Sequence, residues 1–276
     1  MLSDLQGVVP VDDPHLGHHL GVWRPIPLAW AASQDPPELN TLLDLKAEEA
    51  GYFFAERHRD AWWEPLRALI AARFDAQAND ALADPATATA TVVKEPGSHV
   101  APLLTELFPT SKVIFLLRDG RDVVDSWLDA YSEDSWAIPG GAFAVTAEGR
   151  IPLIRWLSDV WTFRSRAVKA AYDARAPEDR ILIRYEDLRG ETEHCLERIC
   201  AMLRLDPAPI PLVVADHRFE RVPRAARGRR HAIRRAAPGG WRTNLNAEEQ
   251  AALHEALGEA LAEFGYGDGE ALAAAG

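Results

Sequence analysis

A chain of 276 residues, 47% of them hydrophobic, is long enough to bury one large α/β core or two small ones. Its net charge of −12 argues against a general nucleic-acid or anionic-membrane binder, because most of the surface would repel phosphate backbones. No apolar run reaches the length of a membrane span, and the N-terminus lacks a basic region followed by an apolar core, so neither an anchor nor a signal peptide is expected.

Residues 1–40 are interrupted by Pro10, Pro14, Pro25, Pro27, Pro36 and Pro37, which predicts an irregular, loop-rich opening. Residues 42–56 and 61–79 carry apolar side chains at three- and four-residue spacing and predict two helices, with Trp62, Trp63, Leu66, Leu69, Ile70 and Phe74 facing inward. Residues 90–94 read as a short strand, and a helix follows Pro96-Gly97 over about 98–108. The branched apolar run 113–117 predicts a parallel strand covered on both faces. Arg118-Asp119-Gly120 makes the next turn, with Gly120 suited to a left-handed conformation, and a helix starts at Asp122, where Val123, Val124, Trp127 and Leu128 recur at helical spacing.

A lid-like segment, 132–150, with Gly140-Gly141 as a point of movement, precedes a tryptophan-rich helix over 152–174. Residues 180–185 form a third strand and 192–205 a helix. That helix carries both cysteines of the chain: five residues apart, Cys195 and Cys200 point to different faces, which fits neither a disulfide framework nor a zinc site and suits a reducing cytoplasm. The last helix, 247–264, has Asn246 as its cap and Glu249 at the capping-box position. Strands alternating with helices imply right-handed crossovers and a parallel sheet, and neither a repeat nor a linker divides residues 1–276, so one domain is expected.

Three segments carry chemistry. Arg118 at a strand end, the N–H groups of the following helix and Ser126 about one turn in can converge on one anion. Residues 217–242 hold nine arginines and a single acid, Glu220, and mark a second anion-binding segment or a basic arm for nucleic acid. Its ending, Pro238-Gly239-Gly240-Trp241, favours a nucleotide pocket: the glycines let backbone N–H groups approach a ligand, and Trp241 can stack on a base or wall it in. Lys94-Glu95-Pro96-Gly97-Ser98-His99 places a cation and two candidate bases at one strand end.

Together these residues resemble the sulfotransferases that use 3′-phosphoadenosine-5′-phosphosulfate. Arg118 and Ser126, eight residues apart, match the family's 3′-phosphate signature. Residues 234–242 are similar to its late loop R-K-G-x-x-G-x-W-K, so that Arg234, Arg235, Gly239, Trp241 and Arg242 are implied in cofactor binding, although Ala236 replaces a glycine and Arg235 and Arg242 replace lysines. Tyr185 in Arg184–Leu188 matches the tyrosine that lies against the adenosine, while Glu186 and Asp187 suit a helix cap equally well. Lys94 matches the lysine that faces the transferring group. The histidine base of the cytosolic branch falls on Pro96, so Glu95 or His99 must replace it, and adjacency to Lys94 favours Glu95.

The resemblance, which covers Lys94 to the C-terminus, implies a three-layer α/β fold like that of the P-loop nucleotide hydrolases, with a central parallel sheet flanked by helices. It implies 3′-phosphoadenosine-5′-phosphosulfate as donor, 3′,5′-adenosine bisphosphate as product, no metal, and a small-molecule, glycan or peptide acceptor, while charge and composition point to the cytoplasm and away from nucleic acid or membrane. Trp62, Trp63, Trp127, Trp136, Trp156 and Trp161 are candidates for an apolar acceptor cleft, although tryptophans at helical spacing usually build cores. The family's opening strand and P-loop-like segment, roughly G-x-P-R-S-G-T-T, have no counterpart in this sequence, where Met1–Leu5 looks like the helix that follows that loop. A late-assigned start, a deliberate truncation or a pseudoenzyme would account for this, and weak bisphosphate binding with little turnover is expected. The competing readings are a P-loop small-molecule kinase, which should carry a Walker lysine and metal-binding acids, and a non-catalytic nucleotide- or nucleic-acid-binding module.

Overall fold

The computed structural model describes residues 1–12, 14, 16, 21–22, 40–41, 55–81, 88–130, 147–218, 221 and 238–267. The helix expected over 42–56 lies almost wholly outside the described residues, as do 132–146 of the lid-like segment, Trp136, and all of 222–237. The chain divides into two compact units, one made of residues 1–23, 39–116 and 164–218, the other of 24–38, 117–163 and 219–276.

The first unit opens with a strand where the prolines predict irregular structure. Strand β1 (Val8–Asp12) runs parallel to β4 (Ala90–Lys94), in register from Val8 opposite Ala90 to Asp12 opposite Lys94. Val8, Val9 and Val11 are almost fully buried, and that burial outweighs Pro10, which a strand tolerates where no ladder donor is required. The helix expected at Met1–Leu5 is one 3-10 turn, Leu2–Asp4. Short strands β2 (Gly21–Val22) and β3 (Asn40–Thr41) pair antiparallel. Helix α1 (Arg59–Ala81) lies between β1 and β4 in the sequence, as the crossover between parallel strands requires. It packs Ile70 against Val100, Leu103 and Leu107 of the segment leading into and forming α2 (Ala101–Leu107). Trp62 is buried, but Leu69 is 67% exposed: the buried stripe centres between Leu66 and Ile70, and Leu69 falls roughly a quarter turn off it.

Strand β5 (Val113–Leu117) pairs with β6 (Arg180–Arg184). Phe115 and Leu117 are buried while Leu116 is 54% exposed, so β5 alternates instead of being covered on both faces. Among the described residues the strands form three two-stranded sheets. The architecture is mixed α/β with parallel pairing and mostly helices. Two short helices, α5 (Tyr185–Gly190) and α7 (Ile210–Asp216), flank α6 (Thr192–Leu203). The two cysteines face different clusters, as their spacing predicts. Cys195 packs with Ile181, Ile183 and Ile199, whereas Cys200 packs with Leu5, Val8, Leu205 and Ile210, and burial pushes both thiols up.

The second unit contains α3 (Gly120–Ala130), the first half of α4 (Arg150–Asp173), α8 (Trp241–Asn244) and α9 (Ala247–Glu263). The capping box of α9 forms as its sequence predicts: Asn246 Oδ1 accepts from Glu249 N, and Glu249 Oε2 accepts from Asn246 N, each at 3.0 Å. Glu249 also pairs with Arg150 at the start of α4. Ala252, Leu253, Leu257, Ala260 and Leu261 form the buried stripe beyond the cap.

Burial pushes the Glu249 carboxyl up, but the bonds from Arg150 and Asn246 and the Arg150 charge outweigh it and hold the group below its ordinary value of 4.5. A lowered folded-state pKa means that its stabilisation is present above the ordinary value and is lost as pH falls through the folded one. Asn246→Ala should cost about 1 kcal/mol in denaturant unfolding. The stability gap between wild type and Glu249→Gln should narrow as pH falls from about 7 to about 4; a gap that does not change with pH would disprove the ionic part of this account.

Candidate functional site

The head of α3 is built by four consecutive residues at the end of β5. Arg118 is half-buried, and Asp119 and Arg121 are buried as a pair: Arg121 Nε donates to Asp119 Oδ1 at 3.0 Å and Nη2 to Asp119 Oδ2 at 2.8 Å. Asp119 Oδ1 also accepts from Arg121 N at 2.9 Å, and Arg121 Nη2 reaches Tyr266 O at 3.3 Å. Thus the Arg121 N–H, one of the donors expected to face a ligand anion, is occupied by an internal carboxylate. Of the two side chains expected to meet an anion here, Arg118 lies before the helix and Ser126 within it.

Gly120 is helical, not left-handed. Among the described residues the glycines with positive φ are Gly7, Gly239 and Gly265, and Gly120 is required for a different reason. A Cβ on it would lie 2.8 Å from Trp161 Cδ2 and 2.9 Å from Cε3, so the first residue of α3 sits directly on the indole. The helix therefore starts two residues before Asp122, and Ser126 lies roughly 9 Å along its axis, nearly two turns in, on the face it shares with Asp122.

That face holds the glycine-tryptophan segment. Gly239 N donates to Asp122 Oδ2 at 2.7 Å, Trp241 N to Asp122 Oδ1 at 3.4 Å, and Asn244 Nδ2 to Asp125 Oδ2 at 2.9 Å. Asp122 and Asp125 are both buried, and Gly239 has φ +83°, a conformation that only glycine adopts without strain. Asp122 and Asp125 are the site residues that sequence reasoning missed. Their signal was two acids at i and i+3 on an otherwise buried helix face.

Trp241 does not offer a stacking surface. It is 4% exposed, with the guanidinium carbons of Arg121 and Arg242 at 4.8 and 4.5 Å from the ring centroid and the His254 ring edge-on at 5.1 Å. It anchors the loop, which leaves the walling role of the two expected for it. Arg242 is itself exposed. Arg234 and Arg235 lie outside the described residues.

The remaining predicted residues belong to the first unit. Lys94 is exposed at the end of β4. Glu95 is half-buried and accepts from Gly97 N at 2.6 Å through Oε1 and from Leu16 N at 2.7 Å through Oε2, so its carboxylate closes the turn and ties it to the segment after β1. His99 is 1% exposed in the 3-10 turn Ser98–Val100, next to Val100 of the α1–α2 core. Tyr185 is half-buried as the first residue of α5. Glu186 and Asp187 occupy the first turn of that helix and provide no side-chain cap to it or to α6; negative charge there complements the helix dipole. Trp156 and Trp161 are buried like Trp62, so these three are core residues, whereas Trp63 and Trp127 are half-buried.

Among the described residues no group of three or more His, Cys, Asp or Glu side chains could hold a metal ion, and no helix is long and apolar enough to cross a membrane. A family model described as the sulfotransferase family matches residues 11–209, well over half of the chain. It runs from the last two residues of β1 to the residue before α7 and includes Lys94, Arg118, Ser126 and Tyr185. No curated protein matches the chain significantly.

Gly120→Ala should destabilise the protein by about 1–3 kcal/mol, the usual cost of overpacking, even though alanine is the better helix former. A thermal melt at or above that of the wild type would contradict the Trp161 contact.

Proposed function

Since the chain belongs to the sulfotransferase family, we propose that it moves a sulfuryl group from 3′-phosphoadenosine-5′-phosphosulfate to a hydroxyl or amine of a small-molecule, glycan or peptide acceptor, in a reducing compartment such as the cytoplasm and without a metal. The observation that carries this reading is the meeting, on one helix, of two motif segments far apart in sequence. Arg118 lies just before α3 and Ser126 within it, and the same helix holds Gly239 and Trp241 through Asp122. The donor nucleotide supplies the sulfuryl group and a phosphate leaving group.

Arg118 presents a rigid fork of N–H donors suited to two oxygens of a 3′-phosphate, and Ser126 adds a hydroxyl donor from the same helix. The neighbouring Asp119–Arg121 pair is internally neutral. Arg242, exposed beside Gly239, contributes a second cation, and Arg234 and Arg235 match the family's further phosphate ligands. Lys94 at the end of β4 offsets charge on the oxygens of the moving group, and Tyr185 lies against the adenosine. For the acceptor proton we assign Glu95 rather than His99: His99 is almost fully buried, whereas Glu95 is partly exposed and adjoins Lys94. The surrounding fold in this reading is the three-layer P-loop-like α/β arrangement of the family.

The test is nucleotide preference, measured calorimetrically with 3′,5′-adenosine bisphosphate and adenosine 5′-monophosphate. A charge-assisted hydrogen bond contributes about 1.5–3 kcal/mol, so the bisphosphate should bind at least about tenfold tighter, however weak the absolute affinity. Arg118→Ala should abolish that preference. Equal affinity of the wild type for the two nucleotides, or steeply salt-dependent DNA binding that the bisphosphate does not affect, would reject the reading.

A further inference from the structure

We infer that Asp122 is a positioning residue: its carboxylate fixes the Gly239–Trp241 backbone against α3 and thereby sets the loop beside Arg118 and Ser126. This inference rests on the reading of that helix as the 3′-phosphate site. Asp122 is 1% exposed, and a buried carboxylate is costly unless donors meet it. The donors it receives are two backbone N–H groups more than a hundred residues away, Gly239 at 2.7 Å and Trp241 at 3.4 Å, one to each oxygen. Coupling of this kind is reciprocal: a loop that lifts leaves a buried charge unsatisfied, and a helix that lacks the charge leaves the loop without its tie.

The neighbouring contacts restrict the loop to one placement. One turn further along the same face Asp125 accepts from Asn244, and a Cβ on Gly240 would lie 3.6 Å from Asp125 Oδ2 and 3.9 Å from Asp122 Oδ1, so the loop backbone passes directly over both acids. Gly239, at φ +83°, supplies a conformation that another residue would adopt only under strain. Trp241 closes the arrangement from inside, its buried ring in contact with the guanidinium groups of Arg121 and Arg242. Two acids beside an anion site would ordinarily repel the ligand. Here the Asp122 charge is met by loop N–H groups, so it serves to locate the loop.

The experiment uses the full 276-residue chain, with Asp122→Ala and Asp122→Asn, and two readouts: amide exchange at Gly239 and Trp241, and affinity for 3′,5′-adenosine bisphosphate against adenosine 5′-monophosphate. In Asp122→Ala the two amides should exchange at least about tenfold faster, and bisphosphate affinity should fall about tenfold while monophosphate affinity stays within about twofold, a split that general loosening would not produce. Asp122→Asn, which keeps one acceptor and turns an NH2 donor to the other amide, should fall between wild type and Asp122→Ala. If Asp122→Ala does not fold, loss of preference in Asp122→Asn supports the role and a wild-type preference overturns it. Unchanged exchange at both amides, or unchanged preference despite faster exchange, also overturns it. A wild type without nucleotide preference rejects the underlying reading and the inference with it, and is distinguished from failure of the inference alone, in which the wild type discriminates and the variants do so equally.

Discussion

The seat of α3 on Trp161 is the contact from which the order of the second unit follows. With no side chain at Gly120, the helix backbone lies against the indole, and Phe264 meets the same ring edge-on at 5.6 Å, so α3, α4 and the end of α9 share one aromatic centre. Once α3 is seated, the direction of its Asp122–Asp125 face is fixed, and with it the backbone from Gly239 to Asn244. That short stretch leads into the Asn246 cap of α9, whose Glu249 returns to Arg150 at the head of α4. Each step depends on the one before, which is how a single missing methyl group comes to control the geometry of residues far away in sequence.

Charge is handled inside this unit in a way that the net figure of −12 conceals. Asp119, Asp122, Asp125 and Glu249 are all buried, and each has a stated partner: a guanidinium for Asp119, backbone amides for Asp122, a carboxamide for Asp125, and Arg150 with a cap amide for Glu249. Buried acids met in this way are compatible with an anion site close by, because little of their field is left to oppose a ligand. In the proposed reading the cations at the helix head are Arg118, half-buried before α3, and Arg242, exposed after Trp241.

Much of the secondary structure was legible because it depends on local chemistry. The strand at Ala90–Lys94, the β5 limits, the α9 capping box and the opposite facing of Cys195 and Cys200 all follow from spacing and side-chain type within a few residues. The departures have tertiary causes. Pro10 sits in a strand whose valines are buried, Val8 among them against α6 and α7, which lie near residue 200. Gly120 is small because of Trp161, not because of its own φ. Leu69 falls outside a stripe whose centre depends on what α1 packs against. In the candidate site, Arg118, Ser126 and the Gly-Gly-Trp segment were visible as motifs, whereas the acid that ties them together was not, since helix periodicity does not reveal which distant backbone a carboxylate will meet.

The opposed environments of Cys195 and Cys200 give helix α6 a further property. One thiol is guarded by the β6 side of the helix and the other by the β1 and α7 side, and both are shielded from solvent. Because a thiol reacts as its thiolate and burial disfavours that form, alkylation at either position waits for its own layer to open. The chain thus carries two native, separately readable timers of local opening, one on each side of a single helix, without any label having to be introduced.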